Sequence, residues 1–125
     1  MLFDTDILIW VFRGNNKACG IIQEEQEKYI SVISYMELLQ GAKDKAEIKN
    51  IRSFLKEAAF QILPVTENIG YRASVYMEEY CLKSGLCMAD ALLAATATEN
   101  QLAFCTGNGK HYKSITEIDL KIFKP

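Results

Sequence analysis

Apolar positions recur along the chain in short runs and at helical spacing, and the two alternate. Met1-Leu2-Phe3 is an apolar run that stops at Asp4, which predicts a short buried strand. Thr5 is placed to cap a helix through Asp6-Ile7-Leu8-Ile9-Trp10-Val11-Phe12, and Arg13-Gly14-Asn15-Asn16 breaks it. A second short helix is predicted over 18–27. Tyr29-Ile30-Ser31-Val32-Ile33 then alternates as a strand does, and a helix opens near Ser34 and runs through Glu37-Leu38-Leu39 to Gly41.

The second half repeats the alternation. Asp44 to Ala59 is amphipathic, with Ile48, Ile51, Leu55 and Ala58 on one face. Gln61-Ile62-Leu63-Pro64-Val65 predicts a strand whose Pro favours an end or an edge. A long helix is expected from Glu67 to Lys83, with Ile69, Ala73, Tyr76, Met77 and Tyr80 turned inward and Gly85 ending it. Met88 to Glu99 is apolar almost all round, the mark of a helix buried on most sides. Leu102 to Thr106 predicts a strand, Gly107-Asn108-Gly109 a turn, and Leu120-Lys121-Ile122-Phe123 a last strand. This order calls for an α/β fold of three layers, a central parallel sheet of four to five strands with helices on both faces. Ligands of such sheets sit outside the carboxyl ends of the strands.

Length and composition narrow the classes. The 125 residues predict a single domain over 1–125, and half of them are hydrophobic, so the chain is neither disordered nor in need of staples. No apolar run approaches the roughly 20 residues of a membrane span, and the first residues lack the features of a secretory signal, which points to a cytoplasmic protein without a membrane partner. Cys19, Cys81, Cys87 and Cys105 have no C-x-x-C spacing and His111 is the sole histidine, so no zinc-site pattern is present. Cys105 reads as a small core residue of a strand. The formal charge of −2 argues against coating nucleic acid by bulk charge, though not against local phosphate contacts.

Acids fall where the ligand rule points. Asp4 follows the first strand, Asp6 lies on the next helix, Glu37 lies early in the helix after the second strand, and Asp90 sits near the start of the buried helix. Brought together, such acids would repel one another unless a divalent cation neutralised them, and all-oxygen donors suit Mg²⁺ or Mn²⁺. Each also has a plainer explanation. Asp4-Thr5-Asp6 suits a helix N-terminus, and Ser34-Tyr35-Met36-Glu37 fits a capping box. Asp90, among Leu86, Met88, Ala89, Ala91, Leu92 and Leu93, requires a partner, which first-turn capping or a metal would supply. Trp10 and Phe12, on a helix against the sheet, read as core, and His111 in Lys110-His111-Tyr112 reads as a solvated loop residue or phosphate contact.

Four segments carry a resemblance: Asp4-Thr5-Asp6-Ile7-Leu8-Ile9, Ser34 to Ala42, Ala89-Asp90-Ala91-Leu92-Leu93-Ala94-Ala95-Thr96-Ala97, and Thr106-Gly107-Asn108. In order and spacing the chain resembles PIN-domain ribonucleases, and within them the VapC-type toxins of toxin–antitoxin pairs. The resemblance implies a PIN-like fold and metal-dependent cleavage of RNA. It makes Asp4, Glu37 and Asp90 the catalytic acids that bind Mg²⁺ or Mn²⁺. It makes Thr5, Asp6, Thr106 and Asn108 auxiliary, Asp6 standing where Asn is common in the family. Many relatives add a fourth carboxylate near the last motif. None occurs here between Glu99 and Glu117, which leaves compensation by Asp6 or a neutral Asn108 acting through water.

The resemblance further implies a small VapB-like antitoxin that covers the acidic pocket, contacting helices around Ile48 to Leu55 and Ile69 to Tyr80, and a homodimer. Arg13, Lys43 and Lys110, with Lys45 and Lys113, flank the expected site and are candidates for RNA phosphates. Two alternatives stand beside this reading. One is a PIN-like RNA-binding module with weak or no cleavage. The other is a receiver-type phosphoacceptor domain, which Asp4 and Asp6 mimic but Leu63-Pro64-Val65-Thr66 opposes, having no acid after the third strand. Without Asp4, Glu37 and Asp90 the net charge would be +1, so the acid surplus is no larger than the expected site.

Overall fold

In the computed structural model, which describes residues 1–125, five parallel strands form one sheet in the order β3-β2-β1-β4-β5. The strands are β1 (Leu2–Phe3), β2 (Lys28–Ser31), β3 (Phe60–Leu63), β4 (Phe104–Thr106) and β5 (Leu120–Ile122). Seven helices connect them: α1 (Thr5–Phe12), α2 (Asn16–Glu24), α3 (Val32–Gln40), α4 (Lys45–Glu57), α5 (Glu67–Ser84), α6 (Met88–Glu99) and α7 (Gly109–Tyr112). The three-layer α/β architecture predicted from the alternation is the one observed. Receiver-type sheets run 2-1-3-4-5; here β3 pairs with β2 at the edge, so the receiver alternative falls on topology as well as on its missing acid.

Successive strand residues point to opposite faces, and the central strand uses this fully. Leu2 enters a core formed with α5, α6 and α7, including Ile69, Tyr76, Leu93, Ala94 and Tyr112. Phe3 enters the other, formed with α1 to α4, including Ile7, Leu8, Ile22, Ile51 and Leu55. As expected, α6 is buried nearly all round, and its alanines let α5 pack closely against it.

Local differences from the sequence reading have identifiable causes. Asp4, rather than Thr5, caps α1, accepting from the Thr5 N–H at 2.7 Å. Ser31 caps α3 by accepting from the Ile33 N–H at 3.0 Å, so Val32 and Ile33 are helical although their alternation resembles a strand. The Ser34–Glu37 capping box therefore does not form, and Ser34 is fully buried in the first turn. β3 ends before Pro64 and lies at the edge, as Pro requires. The turn expected at Gly107–Gly109 becomes the entry to the short helix α7. Phe12 is 44% exposed, not core, and stacks edge-on with Phe54 of α4. No helix is long and apolar enough to cross a membrane.

Candidate active site

The carboxyl ends of β1, β2 and β4 bring the Asp4, Glu37 and Thr106 segments together, and the start of α6 adds Asp90. Asp4 leaves β1 as its chain turns into α1, and both its oxygens are used: Oδ1 by the Thr5 N–H and Oδ2 by the Thr106 hydroxyl, at 2.7 Å each. It is 8% exposed. Burial, with the negative charges of Asp6 and Asp90 nearby, overcomes those hydrogen bonds and lifts its pKa to about 7.

Thr5 reaches the second strand's helix. Its Oγ1 lies 2.7 Å from Glu37 Oε1 and 2.9 Å from Ser34 Oγ. One hydroxyl hydrogen cannot serve both, and a carboxylate only accepts, so Thr5 donates to Glu37 and Ser34 donates to Thr5. Glu37 itself is exposed at the rim. Asp6 turns toward the fourth motif, accepting from the Gly107 N–H at 2.9 Å through Oδ2. Its other oxygen is buried with no partner, and burial raises its pKa.

Asp90 is held from the α7 side. The Tyr112 hydroxyl donates to Oδ1 at 2.9 Å, and His111 Nδ1 lies 3.1 Å from Oδ2, which also accepts a long 3.4 Å bond from the Cys87 N–H. Asn108 Nδ2 stands 2.9 Å from the same His111 nitrogen, which accepts from Asn108 or donates to Asp90 according to its tautomer. His111 is thus not the solvated loop residue its neighbours in sequence suggest. Tyr112 is fully buried, and burial beside Asp4 and Asp90 pushes its pKa far up, so it stays a proton donor. Sequence reasoning missed Tyr112 altogether, because a four-residue helix has no periodicity to reveal which side chains face inward. Burial likewise raises the Cys105 thiol to about 11, consistent with an inert core residue.

The predicted residues therefore share one end of the sheet, though Glu37 stands apart on the rim. No three His, Cys, Asp or Glu side chains converge closely enough here to hold an ion. The donor chemistry nonetheless fits a hard divalent cation. Asp4, Asp6 and Glu37 have no cationic partner in the chain, Asp6 has an orphaned buried oxygen, and all three acids offer only oxygen donors. Buried carboxylates without a counter-charge are costly, and a cation is the simplest remedy. Among the cations expected to flank the site, Arg13 and Lys43 line a cavity of about 890 Å³ that includes Glu37, with Arg13 stacked over Trp10 at 5.7 Å. Lys110 is exposed on α7, beside His111.

A family model of the PIN domain matches residues 1–116, and the chain belongs to that family, whose members are generally nucleases. Its fold is that of a VapC-type PIN domain. It is similar to a chain of a toxin–antitoxin complex from Klebsiella pneumoniae, with 31% identity over 94% of this chain and 93% of that one and a TM-score of 0.80. A chain of VapBC2 from Rickettsia felis, bound to a promoter DNA fragment, matches with 20% identity over 98% of both chains and a TM-score of 0.80. VapBC-1 from nontypeable Haemophilus influenzae matches with 21% identity over 97% and 96% and a TM-score of 0.79. No curated protein sequence matches the chain.

Proposed function

We propose that this PIN domain is an endoribonuclease dependent on Mg²⁺ or Mn²⁺ and serves as the toxin of a toxin–antitoxin pair. One observation carries the reading: Asp4, Asp6 and Asp90 are gathered at the carboxyl end of the sheet, where Asp6 has a buried oxygen with no partner and burial, with the neighbouring charges, lifts Asp4 to about 7. In this reading Asp4, Glu37 and Asp90 hold the metal. Such a cation would supply Lewis-acid stabilisation of charge on the phosphoryl oxygens and would activate water for in-line attack.

The remaining residues orient the acids. Thr106 and the Thr5 N–H fix the two oxygens of Asp4, the Thr5 hydroxyl draws Glu37 toward the site, and Tyr112 fixes Asp90. Asp6 is auxiliary, and its tie to Gly107 keeps the fourth motif in place. Asn108 and Asp90 compete for the same His111 nitrogen, so the His111 tautomer decides which of them it holds. Arg13, Lys43 and Lys110 are positioned to meet RNA phosphates around the site.

The likeness to the Klebsiella complex supports a small VapB-like antitoxin as partner. The cavity beside Glu37 offers it an apolar lining of Ile9, Phe12, Ile51 and Phe54. Homodimerisation belongs to the same proposal. The test is RNA cleavage by the purified chain with Mg²⁺, with and without a chelator. Asp4→Asn and Asp90→Asn should each lower the rate at least 100-fold while circular dichroism shows an intact fold. Cleavage that survives both substitutions would overturn the nuclease site, and RNA binding without cleavage in the wild type would favour the binding-module alternative.

A further inference from the structure

We propose that the face of α4 turned toward β3 is a track for single-stranded RNA, leading away from the neighbourhood of Glu37 along the sheet edge. The proposal rests on the nuclease reading, for which it names where the substrate lies beyond the cleavage site. Lys45, Lys49, Arg52 and Lys56 recur at i, i+4, i+7 and i+11. At the helical repeat they fall within an arc of about 60° and span about 16 Å. All four are exposed, and none forms an ion pair or a side-chain hydrogen bond.

They line a groove of about 890 Å³ whose other walls are Tyr35 of α3 and Phe60 and Ile62 of the edge strand. No acid lines it. The acids of α4 lie on its other faces: Glu47 accepts from the Lys43 N–H in the neighbouring cavity, the one that contains Glu37. That cavity lies against the opposite face of α4, and Lys43, two residues before Lys45, lines it, which brings the start of the stripe to the rim near Glu37, while the end of α4 leads through Ala58 and Ala59 to the start of β3. The stripe thus runs from the rim of the candidate active site toward the amino end of the sheet.

Like charges at i, i+4 destabilise a helix, and nothing in the chain offsets these four. Such a stripe on a chain with a net charge of −2 is explained by an external polyanion. A line of cations on a rigid helix beside Tyr35 has the two components that hold single strands, charge for the phosphates and an aromatic side chain for a base, whereas the Phe60 ring is taken up by Phe3 and Phe54. An acidic peptide would use the charge but has no need of the aromatic side chain, so RNA is the better occupant.

The test measures binding of a fluorescein-labelled single-stranded RNA of about twelve nucleotides to the full chain, by anisotropy with chelator present, across about 50 to 200 mM salt. Lys49→Ala/Arg52→Ala should weaken binding at least fivefold at low salt and lower the slope of log affinity against log salt by about 1.4, two phosphate contacts at about 0.7 each. With Mg²⁺, the same variant should raise KM for a long RNA and leave kcat within twofold. Lys17→Ala/Lys83→Ala, away from the groove, should change neither.

Stripe-dependent binding without any cleavage would remove the nuclease reading and uphold the track. Cleavage with a KM and salt slope unmoved by Lys49→Ala/Arg52→Ala would overturn the track and leave the nuclease. Absence of RNA binding by the wild type overturns the track. Poly-glutamate that binds the stripe more tightly than RNA would assign it to an acidic protein and overturn it too.

Discussion

Asp4 is a buried carboxylate that the chain supplies with hydrogen bonds but no positive charge. Two donors are not enough to keep it ionised against burial and the fields of Asp6 and Asp90, so its pKa rises from 3.8 to about 7. The folded state therefore keeps a proton between about pH 4 and pH 7 that the unfolded chain has released. Where the folded state binds more protons, stability falls as pH rises. The contribution of Asp4 to stability is thus full below its unfolded pKa and is lost as pH climbs through about 7. In chelator, the melting temperature of the wild type relative to Asp4→Asn should decline across that window. Millimolar Mg²⁺ should shrink the decline, because a cation favours the ionised carboxylate. A difference that stays flat with pH would mean that Asp4 is already ionised in the folded chain.

At the scale of elements, the fourth motif is set by a close approach that only glycine allows. The Gly107 N–H bonds Asp6 Oδ2 at 2.9 Å, and a Cβ on Gly107 would stand 2.8 Å from that same oxygen. Gly107→Ala must therefore push Asp6 aside and should cost about 1–3 kcal/mol in urea unfolding. Adding Asp6→Ala removes the obstructing oxygen, so the double variant should lose less than the sum of the singles. Additive losses would show that Asp6 is not what the new methyl meets.

Most elements were legible because their signals are periodic: α5 and α6 follow from apolar spacing over 18 and 12 residues. The start of α3 was not, since Ser31 and Ser34 are equally good caps by type, and only the position of β2 decides between them. The acids of the site were legible as acids following strands. Tyr112 and His111 were not, because their role depends on α7 meeting Asp90 across a separation of 22 and 21 residues.

At the scale of the molecule, the candidate site lies where two layers meet. Asp4 and Glu37 belong to the α1–α4 side, whereas Asp90 and its Tyr112 anchor belong to the α5–α7 side. The two cores touch through a sheet whose central strand contributes one residue to each, Leu2 and Phe3. With so thin a septum, loosening one layer withdraws the support of the other, and the acids are kept in register only while both are packed. Leu93→Ala tests this from the far side. Leu93 is 2% exposed in the α6 core, so truncation should cost about 2–5 kcal/mol through lost burial and the remaining cavity. Trp10, the single tryptophan, packs against the opposite core and reports on that layer by fluorescence. Cooperative unfolding requires the Trp10 transition and the far-UV circular dichroism transition to move together to lower denaturant in Leu93→Ala. A Trp10 transition left at its wild-type midpoint would instead show that the layers unfold separately. The acids on the two sides would then keep their spacing by local hydrogen bonds rather than by the shared sheet.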